Sequence, residues 1–129
     1  MKGPITLLLA FASFVSAQAK PTQAQIDQWK NDGKSLESSA CKKITWMLQN
    51  EKTASADLPK QPIRNVLGWW GRGFIEGAAF MIGDDAIKKV DEFGLSVDVV
   101  GAHIASYCYN HPTETGYAAV QNLLLKVLK

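Results

Sequence analysis

The sequence predicts an all-α fold, a compact bundle of about four or five helices closed by one disulfide. Three observations lead there. Apolar residues recur three and four positions apart in several stretches, the mark of a helix with one buried face. No stretch shows the sustained two-residue alternation of a half-buried strand. The chain has only two cysteines, Cys41 and Cys108, and it begins like an exported protein.

The export signal comes first along the chain. Met1-Lys2 supplies a positive start, Ile5 to Val15 is a short apolar core, and the small-residue patterns Val15-Ser16-Ala17 and Ala17-Gln18-Ala19 follow. This is the layout of a secretory signal peptide, and its apolar run is shorter than the roughly 20 residues that a bilayer-spanning helix needs. Residues 1–19 are therefore expected to be removed. No membrane insertion is expected after cleavage, and the destination is the periplasm. The remaining 110 residues, 20–129, suit one helical domain with residues 20–34 as a loose N-terminal arm. Losing Lys2 leaves 13 Lys/Arg against 12 Asp/Glu, a side-chain charge of +1. So even a balance argues against nucleic acid as a partner.

In an oxidising compartment two cysteines have one intramolecular pairing available. Closing the loop between Cys41 and Cys108 would stabilise the fold by about 4 kcal/mol on the chain-entropy argument.

Each helix has its own signature. In the arm, Thr22 can cap a short helix carrying Ile26 and Trp29, with Gly33 as its stop. From Ser35 to Asn50, Leu36, Ala40, Cys41, Ile44, Met47 and Leu48 form one face, so Cys41 points inward. Glu51 to Pro62 has no period, holds two prolines, and reads as a loop. Asn65 to Ile82 is the most distinctive stretch. Leu67, Trp70, Phe74, Ala78, Met81 and Ile82 form a stripe there, widened by Val66 and Ile75. Its glycines 68, 71, 73 and 77 each weaken a helix by about 1 kcal/mol relative to alanine, which implies that another backbone or a large ring approaches closely. Asp84-Asp85 caps a helix running to Phe93. A further helix, Ser96 to Tyr109, places Val97, Val100, Ile104 and Cys108 on one face. Asn110 or Thr113 caps the last, with Tyr117, Val120, Leu124 and Val127 inward.

The search for chemistry returns little. There is no nucleophile elbow, no HExxH, no phosphate-cradling loop and no CxxC, and a bridged cysteine pair leaves no thiolate. His103 and His111 lack an evident partner, and the carboxylate pairs Asp84-Asp85 and Asp91-Glu92 lack the alternate spacing of a calcium loop. No catalytic residue, metal or cofactor is expected, and the protein reads as a binder of other proteins. Adjacent residues on a helix lie about 100° apart, so Trp69 and Trp70 cannot both face the core. Trp70 shares the stripe of Leu67 and is assigned inward, and Trp69 to its edge. Trp69, with Phe74 and Ile75 beside it, forms the candidate partner-binding set, covered by a homodimer or by a client.

A cysteine opening the first core helix, Trp70-Gly71-Arg72-Gly73-Phe74 with Gly77, and Tyr107-Cys108-Tyr109-Asn110-His111-Pro112 resemble the HdeA/HdeB family of periplasmic acid-stress chaperones. The resemblance spans residues 38 to 129, with additional sequence between Gly83 and Leu95. It implies that Cys41 and Cys108 are the family's helix-linking disulfide, and that acid loosens the protein to expose apolar surface that holds clients. In strong acid the 12 carboxylates would be neutral while 13 Lys/Arg and 2 His stay charged, giving +15, and that self-repulsion opposes compactness. The chain also looks similar to small, disulfide-linked helical immunity proteins that neutralise secreted cell-wall hydrolase toxins.

Overall fold

The structure, a computed structural model, describes residues 20–51 and 62–129. The expected signal peptide and most of the expected proline loop lie outside the described residues. Within them the chain forms six helices: α1 (Gln23–Asn31), α2 (Cys41–Gln49), α3 (Ile63–Ile82), α4 (Asp84–Phe93), α5 (Val97–Asn110) and α6 (Gly116–Leu128). The helical bundle and its disulfide are as expected. The helix number is one higher than the four or five expected, because the N-terminal arm is itself helical.

The caps explain where the helices begin. Thr22 accepts from the Gln25 amide while the Gln25 side chain accepts from the Thr22 amide, a reciprocal capping box that starts α1. Ser96 caps α5 by accepting from the Val99 amide. The Glu51 carboxylate accepts from the Ile63 amide at 2.6 Å and opens α3. Two expected caps are different residues. Asp84 and Asp85 lie in the first turn of α4, after Gly83 at the N-cap, and their charge suits that end of the helix dipole. The cap of α6 is Thr115, which accepts from the Ala118 amide, two residues beyond Thr113.

The ends of α2 and α6 are built together. Ala40 and Thr115 form an isolated antiparallel bridge. On one side the Cys41 and Lys42 amides donate to the Glu114 and Pro112 carbonyls; on the other the Gly116 and Tyr117 amides donate to Ser39 and Glu37. Helix N-termini leave amides without intrahelical partners, and here each segment supplies acceptors for the other's helix. The disulfide between Cys41 and Cys108, with Cα atoms 4.5 Å apart, fixes the same corner. Both cysteines are fully buried.

The core is one cluster. Ile44 and Met47 from α2 meet Leu67 and Ile75 from α3, Val100 and Ile104 from α5, and Val120, Leu123 and Val127 from α6. Ala86 and Val90 extend it under α4. The tightest contact is between α3 and α5, which run in opposite directions. A Cβ on Gly68 would collide with the Val97 carbonyl, and one on Gly101 would lie 2.6 Å from the Arg64 carbonyl. A Cβ on Gly71 would lie 2.6 Å from Val100 Cγ1 and 3.0 Å from Ile104 Cδ1. The close approach that glycine density implied is met at Gly68 and Gly71. At Gly73 and Gly77 a Cβ would meet nothing within 4 Å.

This packing turns α3 away from the expected orientation. Its buried residues are Ile63, Leu67, Gly68, Gly71, Ile75 and Ala79. Met81 and Ile82, expected inward, are 83% and 61% exposed. Counting only large apolar side chains biased the expected stripe. The glycines are themselves the core face, because backbone-to-backbone contact there replaces side-chain burial.

Candidate protein-binding face

On an ideal helix Trp69, Gly73, Glu76 and Phe80 fall within about 60° of one another, opposite the row containing Leu67, Gly71 and Ile75. In the structure this outward row is exposed along its length. Trp69 is 60% exposed and Phe80 74%. Met81 continues the apolar surface beyond Phe80. Two rings at the ends of the row bracket open backbone at Gly73, with Gly77 to one side. On the other side Arg72 Nε donates to Glu76 Oε1 at 2.9 Å, a pair spanning one turn. The result is a shallow face, apolar at its two ends and crossed by the Arg72–Glu76 pair, that a flat surface or a second helix could lie against.

The predicted partner-binding residues separate here. Trp69 is on this face. Phe74 is half-buried and leans on Trp70 and Tyr117, with ring centroids 5.9 Å and 6.5 Å away. Ile75 is fully buried in the core, so its assignment to a binding surface is corrected: it lies on the row that packs inward. Trp70 belongs with the half-buried residues packed on the core and stacks edge-on with Tyr117 at 5.4 Å. Phe80 and Met81 belong to the outward face instead. The spacing of Phe80 from Trp69, eleven residues or about three turns, is a signal the sequence carries.

The two histidines bracket Tyr107 on α5. The Tyr107 and His111 rings stack at 4.0 Å, His111 Nδ1 lies 2.8 Å from the Tyr107 carbonyl, and Tyr107 donates to Glu114 at 3.0 Å. These contacts bind the end of α5 to the turn before α6. Burial holds His103 below the ordinary histidine pKa, and the positive charge of Lys126 adds to this; hydrogen bonding of the ring to Asn122 and to the Ala119 backbone opposes it more weakly. Among the described residues no group of three His, Cys, Asp or Glu is placed to hold a metal ion. No described helix is long and apolar enough to cross a membrane.

No family model matches the chain, and no curated protein or solved structure matches it significantly.

Proposed function

We propose that the protein is an exported periplasmic binder of other proteins, not an enzyme, working as an acid-stress chaperone of the HdeA/HdeB type that holds clients through apolar surface. The observation that carries this reading is the outward face of α3, where Trp69, Phe80 and Met81 stand in solvent on a helix whose opposite side is fully packed. Single apolar residues on a surface are ordinary, whereas two large rings standing in solvent about three turns apart on one row give a partner two anchor points. Acid adds a second source of apolar surface. Rising positive charge loosens the bundle, and the disulfide keeps it from unravelling fully.

The test is client protection. A periplasmic client brought to low pH should scatter less light when the oxidised protein is present in excess. Trp69→Ser should weaken protection while leaving the neutral-pH melting curve nearly unchanged, since that ring contributes little to the core. Unchanged client scattering at every ratio would remove the chaperone reading.

A specific observation favours a second reading, an immunity or inhibitor protein. Trp69 is presented in the folded, disulfide-closed state, as a rigid anchor for one partner would be. That reading expects tight binding to a single cell-wall hydrolase at neutral pH, with Trp69 as the residue most sensitive to truncation.

A further inference from the structure

We propose that a cavity of about 250 Å³ beneath the N-terminal arm binds a small organic anion with a flat apolar body. The cavity lies away from the outward face of α3, and the proposal does not depend on client holding. Lys20 and Ile26 form the arm side, and Lys42, Thr45 and Trp46 of α2 the facing side; Tyr109 completes it from the end of α5.

Charge gives the first argument. Among the described residues two lysines line this cavity, and no aspartate or glutamate does. The neighbouring Lys43 is paired to Asp32 at 3.2 Å, on the other side of the arm's end. Lysine side chains are long enough to bring their ammonium groups to a carboxylate bound among them, which would gain attraction and charge-assisted hydrogen bonds. Shape gives the second. Trp46 and Tyr109 supply aromatic surface, and the volume lies just below the roughly 300 Å³ at which drug-sized pockets begin. A single ring bearing one short acidic arm suits it. Thr45 gives the third. Its Oγ1 is buried without a hydrogen-bond partner among the described residues, and a buried hydroxyl left unpaired is costly. Rotation about χ1 would offer it to a ligand oxygen.

The way in is the arm itself. No residue of α1 is buried, and its anchors are the Trp29–Trp46 ring contact at 5.9 Å and the Asp32–Lys43 pair. Such an element opens at little cost. A ligand wedged between Ile26 and Trp46 would add contacts that close it.

The probe is phenylacetate, with phenylacetamide as its uncharged twin, titrated into the oxidised protein and followed by NMR of the Trp46 and Tyr109 rings. Phenylacetate should bind saturably, and the amide about tenfold more weakly, as the loss of one charge-assisted interaction implies. Lys42→Met should lose a similar factor, and amide exchange in α1 should slow when phenylacetate is present. The wild-type comparison of acid with amide stands even if the variant folds poorly. Absence of saturable binding, equal binding of acid and amide, or shifts confined to residues outside the cavity would mean a water-filled packing gap and overturn the proposal.

Discussion

At the scale of single residues, glycine does two opposite jobs on one helix. Gly68 and Gly71 leave room for α5, and Gly77 leaves room for nothing within 4 Å. A methyl group at residue 68 would press on the backbone carbonyl of Val97, which cannot rotate away as a side chain could. Overpacking of this kind costs roughly 1–3 kcal/mol, more than the ~1 kcal/mol that alanine gains over glycine in a helix. Gly68→Ala should therefore lower the melting temperature. Gly77→Ala meets no obstacle, keeps the propensity gain, and should raise it by a few degrees. Thermal melts of the two variants side by side check both signs, and a rise for both would mean that α3 and α5 are farther apart than described.

Among the helices, how much was readable depended on what buried each one. For α5, where Val100, Ile104 and Cys108 do the packing, spacing alone identified the inward face. Its start was also legible: the helix expected from Ser96 begins at Val97, with Ser96 as its cap. For α3 the same method turned the helix too far, putting Met81 and Ile82 inside and Ile75 at a binding edge, because a wheel of large side chains has no weight for glycine. The exposure of Trp69 was legible and that of Phe80 was missed for this one reason. The cavity under α1 was not legible, since Tyr109 reaches Lys42 and Trp46, a turn apart on α2, only through the disulfide and the Ala40–Thr115 bridge. The arm's own fate is set by electrostatics. Hydrogen bonding from the Lys34 amide, aided by Lys43, holds Asp32 below the ordinary carboxylate pKa. A carboxylate depressed by folding adds stability above its unfolded value of 3.8, and that stability is lost as pH falls through the lower folded value. Asp32→Asn should release α1 at neutral pH, and faster amide exchange confined to residues 23–31 would be the sign. Exchange unchanged in α1 would place the arm's anchor elsewhere.

For the molecule as a whole, acid acts in two stages. His103, held neutral by burial, takes up its proton more readily in the unfolded chain than in the folded one. Stability therefore begins to fall as pH drops through the ordinary histidine value of 6.5 and stops falling on this account below the depressed folded value. The Asp32 stage follows at lower pH. Replacing His103 with glutamine should flatten the first stage of a plot of melting temperature against pH and leave the second. Through both stages the disulfide persists. Cys108→Ser should reduce the melting temperature by more than about 10 °C, given the ~4 kcal/mol expected for a loop of this length.

The disulfide has one more consequence, and it concerns topology. Cys41 and Cys108 lie 67 positions apart, so all of α2, α3 and α4 and nearly all of α5 sit on a covalent ring, with α1 and α6 as two tails leaving from one corner. Continuity of the main chain is thus not what keeps the molecule in one piece. If the chain were cut once inside this ring, the two fragments would still travel as a single band until a reductant is added. Cutting between α5 and α6, outside the ring, would free the C-terminal helix at once from every covalent tie. Non-reducing electrophoresis distinguishes the two, and it measures directly which parts of the fold a protease could sever and which it could only nick.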